Sequence, residues 1–265
     1  MSDKKHDGED VGSLFQAAHT EGLLSPASLQ VLTGVDLGAQ IQAGLGVAID
    51  DVQASEVVLL TIMPDDSGSI RAAGNEQLVR EGHNLVLDAL LGSRQHEAIL
   101  AHTRYLNGKV LFAYRPLDQA VRMTAQNYSA DQGTPLYDQA VVLLGSVLAK
   151  TQAFSQSGVV ARSVTLLITD GGDAHSTRAR AADVAALVAD LQRAESHIVA
   201  AMGIEDGSTD FRKVFREMGI EDRWILTPGN QPTEIRKAFQ IFSQSAVRVS
   251  QAASFANAQL LAFTS

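Results

Sequence analysis

From residue 57 onward, short apolar runs that look like buried strands alternate with stretches of helical periodicity. The first run, residues 57–63, is rich in large apolar and β-branched side chains, as expected of a strand buried on both faces. Later runs at residues 164–169, 197–203 and 223–227 are each followed by a helical stretch. Such alternation requires a mostly parallel sheet with helices on both faces. The predicted fold class is therefore α/β, a Rossmann-like doubly wound sheet.

One part of the pattern predicts a hairpin at an edge of this sheet. Two strand-like runs, residues 99–106 and 110–115, are joined by Asn107-Gly108, and this dipeptide is the strongest short signal for a tight hairpin. Because a hairpin pairs its strands in opposite directions, the sequence predicts one antiparallel edge strand.

The length of the chain fits one core with additions at its ends. With 265 residues, 45% of them hydrophobic and 19% charged, the chain can bury a substantial core. The predicted organisation is a disordered tail at residues 1–12, a helical N-terminal extension at 13–52, the main α/β domain at 53–251 and a C-terminal extension at 252–265. The last segment is mildly apolar and is expected to pack on the domain, against the N-terminal helices.

Charge and composition exclude several classes of function. A net charge of −9 and the absence of any basic cluster argue against nucleic acid as a partner. The chain has no cysteine, so disulfides, thiolate metal sites and cysteine nucleophiles are excluded. Neither a secretory signal nor a run long enough to span a membrane is present, which predicts a cytoplasmic protein. Export by another route stays open.

Three short polar pieces could form one site. The first comprises Asp65, Ser67 and Ser69 after the first apolar run, the second is Thr134 at a predicted helix start, and the third is Asp170 after a later run. Each has a structural explanation by itself, since Asp, Ser and Thr cap helices and form turns. All of them, however, lie on loops at the edge where open α/β sheets build their sites, so they are expected to meet.

Hydroxyl and carboxylate oxygens are ligands for hard cations. This set favours Mg²⁺ or Mn²⁺, allows Ca²⁺, and disfavours zinc or copper. Some of the side chains would reach the ion through water, which leaves an octahedral site short of one ligand. A carboxylate from another molecule would complete it.

The three pieces lie within the segments VVLLTIMPDDSGSI, GTPLYD and LLITDGGD. In order and separation they resemble the metal-ion-dependent adhesion site of von Willebrand factor type A (VWA) domains, and the resemblance covers about residues 55–250. It implies a six-stranded sheet with an antiparallel edge strand. It also implies direct ligation by Ser67 and Ser69, and by Thr134 in the ligand-ready arrangement. Asp65 and Asp170 would then act mainly through bound waters.

Some residues near the motif depart from the pattern or border it. Pro64 replaces an apolar strand residue and removes a backbone donor, which makes the end of the strand less certain. Asp66 adds a carboxylate that could tune the charge of the site, but it is expected to face water. Asp173 and His175 could border the site, although a loop histidine is more often only solvated. The helix that carries Phe239 resembles the last helix of intracellular bacterial VWA proteins found near tellurium-resistance and stress operons.

The sequence thus favours a cation-dependent protein-interaction module that is not an enzyme. Its partner would supply an Asp or Glu; candidate partners are an AAA+ ATPase, a protein of a bacterial stress operon, or another copy of the chain. One alternative is a structural or assembly subunit with a vestigial metal site. Another is a Mg²⁺-dependent phosphohydrolase, but its chemistry requires a second carboxylate two residues after Asp65, where this chain has Ser67.

Overall fold

The computed structural model describes residues 10–34, 37–49, 52, 54–252 and 262–263. Residues 1–9 of the predicted tail lie outside this part of the chain, and a helix begins already at Val11.

The centre of the fold is a six-stranded sheet with the strand order β3-β2-β1-β4-β5-β6. The strands are β1 (Glu56–Met63), β2 (Ile99–Arg104), β3 (Val110–Pro116), β4 (Val160–Thr169), β5 (His197–Gly203) and β6 (Ile225–Leu226). Only β3 runs antiparallel, paired with β2 at one edge. The predicted α/β class with an antiparallel edge strand is therefore confirmed.

Helices lie on both sides of the sheet, and α5 packs against α9 while α6 packs against α7. Their bounds are α1 (Val11–Thr20), α2 (Pro26–Leu32), α3 (Leu37–Leu45), α4 (Gly68–Ala72), α5 (Glu76–Leu91), α6 (Leu136–Gln156), α7 (Ala181–Arg193), α8 (Phe211–Glu217) and α9 (Pro232–Gln251). The described helices include none with the length and apolar character needed to cross a bilayer.

The N-terminal helices bury the outer surface of α6. Helices α1 and α3 contact α6, and α2 contacts α7. As a result, 16 of the 21 residues of α6 are buried, which is unusual for a helix on the outer layer of a doubly wound sheet. At Gly145 a Cβ atom would come within 2.8 Å of Leu32 and Ile41. The absence of a side chain there permits the close approach of the extension.

Two local predictions need correction, and a third can be followed only in part. Strand β4 begins at Val160, earlier than the apolar run, because β1 pairs with it from Glu56. Pro64 does not disturb the strand, since β1 has already ended at Met63 and the Pro64 carbonyl accepts from the Leu106 N–H at 3.1 Å. In the predicted C-terminal extension, Phe263 contacts Trp224 and Phe242. This residue therefore packs on the main domain, near β6, while residues 253–261 and 264–265 of the extension lie outside the described part of the chain.

Candidate functional site

The strands β1 and β4 are neighbours, and their C-terminal ends open at the point where the chain winds outward in both directions. Four of the five predicted residues meet there. Ser69 Oγ donates to Asp170 Oδ1 at 2.6 Å, Ser67 Oγ lies 2.9 Å from Ser69 Oγ, and Ser67 Oγ lies 3.4 Å from the same Asp170 oxygen. Ser67 is the N-cap residue of α4, yet its hydroxyl makes no capping bond. Both hydroxyls are thus turned toward Asp170.

Asp65 links the loop after β1 to the end of β4 through hydrogen bonds of its carboxylate. It is fully buried; Oδ1 accepts from the Ser67 N–H at 2.7 Å, and Oδ2 accepts from Thr169 Oγ1 at 2.7 Å and from the Asp170 N–H at 3.4 Å. The Tyr128 hydroxyl also donates to the Asp65 carbonyl. Neither Thr169 nor Tyr128 was predicted to take part, because nothing in the sequence indicates that their hydroxyls point here.

Thr134 lies on the neighbouring segment, and no hydrogen bond among the described residues joins it to the other four side chains. A parallel bridge between Ser67 and Gln132, and a hydrogen bond of 3.0 Å from the Gly68 N–H to the Gln132 carbonyl, hold that segment beside the motif. The prediction that Thr134 caps α6 is wrong, since Pro135 is the N-cap residue. Within the described part of the chain the Thr134 hydroxyl makes no hydrogen bond, so its oxygen is available to a ligand.

His175 positions Thr134, a role that the sequence did not reveal. The ring Nδ1 of His175 accepts from the Thr134 backbone N–H at 2.8 Å, and the backbone N–H of His175 donates to the Thr134 carbonyl at 3.3 Å. The histidine is exposed but is therefore not merely solvated. The hydrogen bond from Thr134 requires an unprotonated Nδ1, so the ring carries its proton on Nε2.

Two carboxylates fasten the loop after Asp170 to the start of α6. Asp138 accepts from the backbone N–H groups of Thr177, Arg178 and Ala179 at 2.7–3.1 Å. Asp173 accepts from the Tyr137 N–H at 3.3 Å, in the opposite direction. These bonds hold residues 177–179 in the loop, and α7 begins only at Ala181.

Replacement of Asp138 by Ala should loosen this loop. The three backbone N–H groups lose their acceptor, and at about 1 kcal/mol for each net hydrogen bond the free energy of unfolding should fall by about 2–4 kcal/mol. Urea denaturation measures this loss. Asp138→Asn retains an acceptor oxygen and should lose less. Equal stability of Asp138→Ala and the unmodified chain would refute the role.

The site concentrates buried negative charge. Burial raises the pKa of Asp65, and it raises the pKa of Asp170 to about 6 and that of Asp66 to about 7. Asp66 was expected to face water, but it is only 2% exposed. No ion pair among the described residues joins any of these three carboxyl groups to a lysine, arginine or histidine. Such charge is costly unless a cation compensates it.

The oxygen geometry suits a hard divalent cation. Ligands of octahedral Mg²⁺ lie about 2.1 Å from the ion and hence about 3 Å from each other. The separation of 2.9 Å between the hydroxyl oxygens of Ser67 and Ser69 matches this value. In the described chain no group of three or more histidine, aspartate or glutamate side chains forms a metal site. The oxygens that converge at the site are two hydroxyls and one carboxylate, donors that hard cations accept.

No protein-family model matches the sequence, and no curated protein matches it either. Solved structures do resemble it. The pilus adhesin SpaC of Lactobacillus rhamnosus GG, in an open conformation, aligns with a TM-score of 0.54 and 13% identity over 75% of this chain and 31% of the adhesin. Proximal thread matrix protein 1 of the mussel byssus gives 0.49 and 16%, over 72% of this chain and 48% of that protein.

The VWA domain of SpRpn10 aligns with a TM-score of 0.49 and 7% identity, over 74% of this chain and 98% of that domain. The chain spans about half the length of the mussel protein and about a third of the adhesin. At these identities, the similarity to the adhesin shows a common fold and nothing further.

Proposed function

We propose that residues 53–251 form a VWA-type domain that binds a divalent cation and, through it, an acidic side chain of a protein partner. The proposed ligands are Ser67, Ser69 and Thr134, with Asp65 and Asp170 acting mainly through water. The observation that carries the proposal is the convergence of two hydroxyls and one carboxylate within 2.6–3.4 Å at the switch point of the sheet. Mg²⁺ is the preferred cation, with Mn²⁺ or Ca²⁺ as alternatives.

The chemistry of the ligands explains why a partner would be needed. When bound, the cation supplies a Lewis-acidic site that attracts a carboxylate. Neutral hydroxyl oxygens cancel little of its charge. The chain itself holds Asp65 away from the surface, since both oxygens of that buried carboxylate accept hydrogen bonds. The partner's Asp or Glu would then be the only carboxylate free to approach the ion from outside.

The same burial argues against a hydrolase. An aspartyl nucleophile must touch its substrate, whereas Asp65 is 0% exposed. The second carboxylate that such chemistry requires is absent, because position 67 is a serine. We therefore propose a module that is not an enzyme.

We infer a cytoplasmic bacterial stress or assembly system as the setting. The support is the resemblance of α9, with Phe239 and Phe242 on its buried face, to the last helix of tellurium-resistance and stress-operon VWA proteins. An AAA+ ATPase or another protein of such an operon is the proposed type of partner.

A capture experiment with the native cell extract tests the interaction. The immobilised chain should retain a partner in Mg²⁺ and release it in EDTA, and Thr134→Ala should retain at least about tenfold less. Thr177→Ala is the matched control, because Thr177 is exposed on the same edge and lies outside the proposed ligand set. Capture that survives both EDTA and Thr134→Ala would favour the structural subunit with a vestigial site.

A further inference from the structure

Asp66 is a buried carboxylate that the proposed cation site does not use. It is 2% exposed although it lies in the middle of the motif. One oxygen accepts from the Asn107 N–H at 3.0 Å. The other makes no hydrogen bond within the described part of the chain. That second oxygen is not fully enclosed by protein atoms, so it faces open space.

That space is a small polar cavity beside the cation site. Its volume is about 200 Å³, and its walls come from the turn after β1, the β2–β3 hairpin turn and the loop at residues 126–132. Asp66, Asn107, Asn127 and Gln132 line it. The cavity is large enough for an ammonium or guanidinium group with a few waters.

Among the described residues, no charged group around the cavity forms an ion pair with Asp66. Asp131 also lines the cavity, but that side chain is 47% exposed, lies 3.9 Å from Arg71 and accepts from Ser129 and Gln132. Lys109 is exposed at the rim and makes no ion pair among the described residues. A buried carboxylate without a cation is unfavourable, and a positive group that entered the cavity would be held strongly.

We infer that this cavity binds the ammonium or guanidinium group of a partner's Lys or Arg, next to the cation that takes the same partner's Asp or Glu. The part of this inference that concerns the partner's Asp or Glu rests on the proposed function. A second metal ion is disfavoured, because only one oxygen of Asp66 is open and no group of three acidic or histidine side chains is formed among the described residues. A basic side chain needs only one carboxylate and a few neutral acceptors.

The two subsites are close enough for one segment of a partner. Asp66 directly precedes Ser67, and consecutive Cα atoms are about 3.8 Å apart. An acidic and a basic residue separated by a few positions could therefore occupy both at once. The module would recognise a mixed-charge segment, not any exposed carboxylate.

Methylguanidinium is a suitable probe, since it carries the proposed group alone. Added to the full ¹⁵N-labelled chain, it should shift the amide signals of Asn107 and Gln132 in a saturable way. Asp66→Asn should abolish the shift while the protein stays folded, because the amide oxygen can still accept from the Asn107 N–H. Asp118→Asn, at an exposed carboxylate elsewhere, should leave the shift unchanged.

The outcomes separate this inference from the proposed function. Absence of a saturable shift, or a shift that persists in Asp66→Asn, would overturn the inference, whatever the protein's response to Mg²⁺. With a captured partner, Asp66→Asn should weaken Mg²⁺-dependent binding at least about tenfold. If Asp66→Asn binds the partner with unchanged affinity and still requires Mg²⁺, the proposed Lys or Arg cavity is refuted and the cation site is not. Binding that is indifferent to EDTA would instead refute the cation site.

Discussion

Mg²⁺ in large excess should raise the melting temperature of the unmodified chain by about 5–10 °C relative to EDTA. A ligand at about 100 times its dissociation constant stabilises the folded state by about 2.7 kcal/mol, and in a domain of this size each kcal/mol corresponds to about 2–4 °C. The gain would arise because the proposed site brings Ser67, Ser69 and Asp170 together, whereas these residues are far apart in the unfolded chain. Differential scanning calorimetry measures the shift.

The double variant Asp65→Ala with Ser67→Ala should lose this response. Its melting temperature in EDTA differs from that of the unmodified chain, since donors from Thr169 and Asp170 lose their acceptor. The readout is therefore the difference between Mg²⁺ and EDTA within each protein. A control pair, Asp118→Ala with Thr177→Ala, removes the same kinds of side chain at exposed positions and should keep the full rise. Identical melting curves of the unmodified chain with metal and chelator would rule out the cation site.

Much of the fold was predictable because it depends on patterns within short stretches. The apolar runs and the Asn107-Gly108 turn indicate strands and a hairpin locally, and the rules of parallel connections then leave few possible topologies. The meeting of Ser69 and Asp170 follows from that topology, because both leave the same edge of adjacent strands.

What was missed depends on contacts between distant segments. Thr134 looks like a helix cap, but Pro135 takes that place and His175 holds the Thr134 backbone, an interaction across 41 positions of sequence. Asp66 looks like a solvated turn residue, yet the hairpin turn covers it and donates the Asn107 N–H. Likewise, the covering of α6 by α1–α3 requires knowledge of which faces pack together. Local propensity carries no information on such partners.

A buried histidine should make the chain sensitive to acid. His102 on β2 is fully buried, Nδ1–H donates to the Phe112 carbonyl at 2.7 Å, and burial lowers the pKa to about 3. The unfolded chain has an ordinary histidine pKa of about 6.5 and therefore binds the proton first. The stabilisation from neutral His102 is complete above about pH 6.5 and is lost progressively as the pH falls toward the folded pKa. Between about pH 8 and about pH 5 the loss is about 2 kcal/mol.

Comparison with variants separates the contribution of His102 from that of Asp65, Asp66 and Asp170. The raised pKa values of these carboxyl groups make the folded chain more stable as the pH falls, whereas the lowered pKa of His102 makes it less stable. His102→Gln and His102→Leu should both be less stable than the unmodified chain at about pH 8, because packing against Tyr114 is lost. Neither side chain titrates, so in urea denaturation the stability gap should narrow by about 2 kcal/mol at about pH 5 for both variants. The carboxylates are common to all three proteins and cancel in the difference. A gap that stays constant with pH would mean that His102 is protonated equally in the folded and unfolded chain.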